Sequence, residues 1–149
     1  MLSVLPREVE ERVREVCGEL RRRGFDCDVS PEEFAAYMEA DTYTGDRAGL
    51  WGVVGNRYLL IHELAEISAL KRMGYRVDRG VLRRAYPDSY RAHLEAMDVE
   101  LRVAAEEGDL GWVEARLRDL AGYLSDPLLP EGLAEEVGRL LRKYSGYVR

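Results

Sequence analysis

The sequence predicts an all-α protein, folded as a single helical domain over residues 1–149 with about five main helices and one irregular apolar loop (41–55). Apolar residues recur at helical spacing through most of the chain. Helix-start residues and glycine stops divide these stretches, and the connections between them are short. A length of 149 residues is enough for one domain with a substantial core.

The first two helices are predicted from an apolar stripe and from a capping pattern. The stripe of the first helix consists of Val9, Val13, Val16 and Leu20. Pro6 suits the first turn of this helix and Gly24 suits its end. In "SPEE", Ser30 is the expected N-cap of the second helix, and Glu33 completes a capping box. We expect this second helix to end near Ala40.

The stretch "DTYTGDRAGLWGVVG" (41–55) has no clear period. Its glycines interrupt regular structure, whereas its apolar residues, Leu50, Trp51, Val53 and Val54, favour burial. A strand here would have no partner strand. We therefore expect an apolar loop packed against the bundle, followed by Asn56 as the N-cap of the next helix.

The remaining helices follow from the same signals. A central helix is predicted over 56–73 and a short one over 78–85. A long helix follows over 86–108, and another begins after Asp109. The last helix carries the apolar positions Leu133, Val137, Leu140, Leu141 and Tyr144. Short connections make neighbouring helices antiparallel in a bundle.

The composition excludes several classes of function. The apolar fraction is 46% and the charged fraction 34%, as in a folded protein. The 22 basic residues are dispersed among 28 acidic ones, and the net charge is −6, so we expect no nucleic-acid partner. Glutamine is absent and Asn56 is the single asparagine, a composition that indicates either a hot habitat or a biased base composition of the genome.

The cysteine count and the hydropathy pattern bear on location. No apolar run reaches membrane-spanning length and no leader pattern opens the chain, so we expect a cytoplasmic protein without a membrane partner. Two cysteines are too few for a disulfide framework and lack metal-finger spacing. We expect Cys17 to be a buried thiol and Cys27 a thiol in a loop.

The central helix places three ionisable residues in an otherwise apolar segment, "NRYLLIHELAEISALKRMG". His62, Glu63 and Glu66 fall within an arc of about 100° on a helical wheel. A helix that is apolar around most of its surface is buried on most sides. The sequence therefore predicts a polar patch that faces the interior.

The long helix repeats this pattern with His93 and Glu100, two turns apart and between apolar flanks. If the two helices pack antiparallel, residues whose numbers sum to about 160 lie opposite one another. Glu66 then lies level with His93 or its neighbour, and His62 lies level with residues 98–100. Both histidines are predicted to lie opposite carboxylates.

This cluster predicts a divalent-metal site with His62, Glu66, His93 and Glu100 as ligands. Imidazole and carboxylate ligands suit zinc, manganese or iron. Glu63 adjoins the ligands and is the candidate general base for a metal-bound water. The function that follows is a metal-dependent hydrolase of a small phosphorylated substrate.

The alternative hypothesis is a non-catalytic helical interaction module. A buried carboxylate needs a partner, and interhelical His–Glu pairs can fix helix register without chemistry. In that case the function lies in protein contacts. The C-terminal "KYSGYVR" carries two tyrosines and favours self-association, as a homodimer.

Three short motifs resemble those of known metalloenzymes. "HELAE" resembles the start of the HExxH helix of zinc peptidases, with Glu66 at the place of the second histidine. "LLIHELAEI" resembles the HD segment of HD phosphohydrolases, with Glu63 in place of the aspartate. Glu63-x-x-Glu66 followed by Glu95-x-x-Asp98 is similar to the motif of all-α nucleotide pyrophosphatases. That resemblance implies a magnesium site built from four acids, although the helical wheel turns Glu95 to solvent.

Overall fold

The computed structural model describes residues 5–39 and 49–148, and the regular elements within these ranges are all helical. The α-helices are α1 (Arg7–Arg22), α2 (Pro31–Met38), α3 (Leu50–Val54), α4 (Arg57–Arg72), α5 (Val81–Ala85), α6 (Asp88–Glu106), α7 (Leu110–Gly122) and α8 (Ala134–Ser145). Five of them, α1, α4, α6, α7 and α8, have 12 residues or more. The predicted all-α class and five main helices are confirmed. Within the described ranges, none of these helices combines the length and the apolarity needed to cross a bilayer.

Three of the helices have side-chain N-caps at the residues that the sequence predicts. Ser30 accepts a hydrogen bond from the Glu33 amide and the Glu33 side chain accepts one from the Ser30 amide, which completes the capping box of α2. Asn56 accepts from the third residue of α4 at 3.1 Å, and Asp109 accepts from the third residue of α7 at 3.2 Å. Gly74 follows α4 with a φ of 95°, a conformation that favours glycine.

The expectation of an irregular loop over 41–55 is wrong for its second half. Residues 50–54 form the single helical turn α3, closed by hydrogen bonds such as that from the Val53 amide to the Gly49 carbonyl at 3.1 Å. Helical geometry buries Val53 and Val54 but leaves Trp51 56% exposed, whereas we expected all three to be buried. Residues 41–48 lie outside the described residues.

The cysteines correct a second expectation, because Cys17 and Cys27 form a disulfide rather than two thiols. The chain reverses after α1 through Gly24, which has a φ of 90°, and so brings Cys27 back beside the last turns of the helix. The two Cα atoms are 5.5 Å apart and each residue is 2% exposed. Spacing in the sequence does not reveal this reversal, which depends on the path of the chain.

Helix α6 contributes to both of two hydrophobic clusters. The first cluster contains residues of α1 to α5 together with Ala92 and Val103 of α6. The second contains residues of α6, α7 and α8, among them Met97 and Leu101. Both clusters therefore depend on α6, which presents a different side to each.

Helices α4 and α6 pack antiparallel, as predicted. Contacts along the pair join Arg57 to Glu107 at 2.8 Å, His62 to Glu100 at 2.9 Å, and Glu66 to residue 93 at 2.9 Å. Residue numbers rise along one helix as they fall along the other. The predicted pairing of the two histidines with two glutamates is confirmed, and it places the polar cluster midway along both helices.

We expect Asn56→Ala to lower the free energy of unfolding by about 1 kcal/mol, because the first turn of α4 loses its side-chain acceptor. Asn56→Asp keeps an acceptor oxygen and is the matched control. Urea denaturation followed by circular dichroism measures both variants. Equal losses in the two variants would contradict a capping role.

Candidate metal centre

Three side chains from the two central helices meet at one point. His62 and Glu66 lie one turn apart on α4, and His93 comes from α6. His62 is 3% exposed and Glu66 is 6% exposed, and the His93 side chain is 30% exposed. Within the described residues, these three form the group whose ligand atoms lie close enough together to hold one ion. We call them the triad.

The ligand atoms of the triad form a small triangle. His62 Nε2 lies 2.9 Å from Glu66 Oε2 and 3.1 Å from His93 Nδ1, and that Nδ1 lies 2.9 Å from the same oxygen. An ion about 2.1 Å from each atom would stand about 1.2 Å above the triangle, with angles of about 90° between ligands. Such angles are those of one face of an octahedron.

Either protons or a cation can satisfy the three atoms of the triangle. A charged carboxylate carries no proton and each ring nitrogen carries at most one. If both nitrogens are protonated, two N–H groups face the same oxygen with their nitrogens 3.1 Å apart. If one is protonated, the other nitrogen keeps a lone pair directed at the same point. A cation at the centre would satisfy all three atoms together.

Glu100, predicted as the fourth ligand, lies behind His62 instead of in the triangle. Its Oε1 accepts a hydrogen bond from His62 Nδ1 at 2.9 Å. The carboxylate also accepts from Trp112 Nε1 at 2.6 Å and from Arg116 Nε at 2.7 Å and Nη2 at 3.0 Å. Glu100 is fully buried, so these donors fix its position and, through it, the orientation of the imidazole ring.

Two tyrosines support the other triad residues in the same way. The Tyr37 hydroxyl donates to Glu66 Oε1, the oxygen that faces away from the triangle. The Tyr123 hydroxyl lies 2.8 Å from His93 Nε2, where it can donate its proton or accept the one on nitrogen. Burial raises the pKa of Tyr123 to about 12, so the phenol keeps its proton at neutral pH. Each triad residue is thus held from behind by a second polar group, as metal ligands are.

The cluster is electrostatically balanced without a metal ion. Burial by itself lowers the pKa of His62, but hydrogen bonds to Glu100 and Glu66 outweigh it and raise the pKa to about 10. Burial by itself raises the pKa of each glutamate. Hydrogen bonds from His62 and His93 nevertheless hold the pKa of Glu66 far below its usual range, and His62 and Arg116 lower that of Glu100. At neutral pH, two buried carboxylates therefore face an imidazolium and a guanidinium.

Glu63, the candidate general base, follows His62 on α4 and is half-buried. It is not one of the three converging ligands. The four acids of the pyrophosphatase-like motif are not brought together, because basic side chains hold two of them elsewhere. Glu95 pairs with Arg72 at 2.5 Å, and Asp98 pairs with Lys143 at 2.9 Å.

Sequence reasoning missed four residues that support the triad: Tyr37, Trp112, Arg116 and Tyr123. Tyr37 and Trp112 lie in helices that the sequence predicts, but their polar contacts with Glu66 and Glu100 follow from tertiary packing. Nothing in the linear spacing relates α7 to the α4–α6 pair, so Arg116 and Tyr123 carried no signal. Their roles follow from the tertiary arrangement alone.

Comparison of the chain with protein-family models, with curated proteins and with solved structures finds no match. No activity is therefore transferred from a relative. The assignment of function rests on the geometry of the triad and on the groups that support it.

The titration of His62 predicts how the metal-free protein responds to pH. A folded pKa of about 10 exceeds the unfolded value of 6.5, so the stabilisation is complete below pH 6.5 and is lost as the pH rises towards 10. Between these two pKa values, the free energy of unfolding should fall by about 1.4 kcal/mol per pH unit, because folding takes up one proton. Urea denaturation in EDTA between pH 7 and 9 measures it. His62→Gln, the matched control, should lack this slope, and equal slopes in both proteins would contradict the assignment.

Proposed function

We propose that this protein binds one divalent metal ion at His62, Glu66 and His93. The observation that carries the proposal is the convergence of three ligand atoms within 3.1 Å of one another, inside the fold. Glu100, Tyr37 and Tyr123 strengthen it, because they orient the ligands from behind. Glu100 then acts on His62 and does not touch the ion.

The spacing of the ligand atoms favours an octahedral ion. Ligands about 2.1 Å from a tetrahedral ion stand about 3.4 Å apart, whereas the triad atoms stand 2.9–3.1 Å apart. Two imidazoles and one carboxylate on a single face are a ligand set that suits iron(II) and leaves open positions. Of the metals that the sequence indicates, manganese and iron therefore fit better than zinc.

The reaction that we propose for the site is hydrolysis of a small phosphorylated substrate. An ion held by His62, Glu66 and His93 would bind water and a phosphoryl oxygen and would lower the pKa of that water. Glu63 adjoins His62 on the same helix and is assigned the role of general base.

A second candidate function is a non-catalytic helical module that acts through protein contacts, including self-association as a homodimer. One observation favours it. Among the described residues, Ser89 Oγ is the buried side-chain polar atom without a hydrogen-bond partner, so the triad and its supports are already paired. A hydrogen-bonded network of this kind can fix the register of the helices without binding a metal ion.

Metal analysis separates the two candidates. We expect purified protein incubated with manganese and then desalted to retain about one ion per chain, because three preoriented ligands hold it. The His62→Ala/His93→Ala double variant should retain less than about a tenth of that amount. Glu95→Gln removes a carboxylate of α6 that pairs with Arg72, outside the triad, and should retain the ion. Metal-free wild type, or equal metal in the double variant, would refute the proposal.

The hydrolytic step is tested at Glu63. With p-nitrophenyl phosphate as the probe, we expect Glu63→Gln to reduce kcat by about 10²-fold or more, because a general base contributes that much. Metal content should stay at the wild-type level, since Glu63 is not a triad residue. An unchanged kcat would remove Glu63 from the mechanism. The absence of hydrolysis by metal-loaded wild type would remove this reaction while leaving the metal site intact.

A further inference from the structure

A short stretch of chain links the disulfide to the triad. Cys27 lies three residues before Ser30, the N-cap of α2. Tyr37 lies in the last turn of that helix, is fully buried, and donates its hydroxyl proton to Glu66. Cys27, at one end of this stretch, and Tyr37, which supports the triad residue Glu66, are thus ten positions apart in the chain.

Polar contacts hold the start of α2 in place beside the disulfide. Arg21 of α1 donates to the carbonyl of Cys27 at 2.8 Å. Lys71 of α4 donates to the carbonyl of Asp28 at 2.5 Å and pairs with Glu33 at 3.0 Å. The segment before α2 is therefore fastened both to α1, which carries the crosslink, and to α4, which carries two triad residues.

Helix α2 depends on these anchors for its position. It has eight residues, and a helix of this length is unstable by itself in water, so tertiary contacts must hold it. The contact of Lys71 with the Asp28 carboxylate is weak, because it is 3.6 Å long and the Asp28 side chain is 94% exposed. The disulfide is the covalent anchor of the segment. Without it, noncovalent contacts alone hold α2, among them the buried side chains of Phe34 and Tyr37.

We infer that the redox state of Cys17 and Cys27 sets the affinity of the triad for its metal ion, through the position of Tyr37. The inference rests on the proposed metal site. A dithiol reductant delivers two electrons and two protons: its two S–H bonds give way to one S–S bond, and Cys17 and Cys27 become thiols. The hydrogen bond from the Tyr37 hydroxyl to Glu66 is then populated less of the time. The Glu66 carboxylate is less well oriented as a result, and the ion binds more weakly.

The test is a double-mutant cycle between the crosslink and the phenol. Cys17→Ala/Cys27→Ala removes the disulfide, Tyr37→Phe removes the hydroxyl, and a triple variant removes both. Manganese affinity is measured by titration calorimetry at one pH for these variants and for oxidised wild type. We expect each of the first two variants to bind about tenfold more weakly than wild type. The triple variant should bind no more weakly than Tyr37→Phe, because both changes act on one contact.

The remaining outcomes distinguish failure of the metal site from failure of the redox inference. If oxidised wild type binds no manganese, the proposed metal site fails, and this inference fails with it. If wild type and the cysteine variant bind equally, or if the two effects multiply in the triple variant, only the inference fails. Wild type reduced with dithiothreitol and desalted without air should match the cysteine variant, and a difference between them would overturn the redox link.

Hydrogen exchange supplies a readout that does not depend on metal. The amides of α2 should exchange faster in the cysteine variant than in oxidised wild type, whereas those of α4 and α6 should keep their protection. This pattern also shows that the variant is folded. Unchanged protection in α2 would overturn the inference, even if the metal affinity differed.

Discussion

Two carboxylates buried between helices must find positive partners, and this requirement organises the centre of the molecule. Glu66 and Glu100 are 6% and 0% exposed, and removing such charges from water is costly unless they are paired and hydrogen-bonded. The positive partners are His62 from α4 and Arg116 from α7, and His93 from α6 adds a hydrogen bond to Glu66. A shift of one helix by a single residue would leave a buried charge unmatched, so these pairs fix both the rotation and the axial position of three helices.

The same requirement brings together side chains that could also bind a cation. Side chains that neutralise one another across a helix pair must converge, and convergence of two imidazoles and a carboxylate is also what a cation requires. The charge pairs and the two supporting tyrosines, Tyr37 and Tyr123, point to different roles for the cluster. The His–Glu and Arg–Glu ion pairs are enough to fix the register of the helices. Tyr37 and Tyr123 bind atoms that face away from the triangle, and so orient the triad side chains.

Local patterns in the sequence predicted the helices and the central pairing, because both follow from short-range rules. Capping residues such as Ser30 and Asn56 act within one turn, and the apolar surroundings of His62 and His93 identify their buried faces. The sequence did not indicate which nitrogen of an imidazole faces which partner, so Glu100 was expected among the ligands. Chain reversals and the approach of α7 are tertiary features, which is why the disulfide and the tyrosine supports were missed.

The position of α6 has a consequence for how the molecule comes apart. Because one side of it completes the cluster with α1 to α5 and another side completes the cluster with α7 and α8, neither half retains a closed interior without it. Detaching this helix would expose apolar surface on both halves at once and uncover the charges beside it. We therefore expect the two interiors to unfold together in one cooperative transition, with the polar cluster at their common boundary.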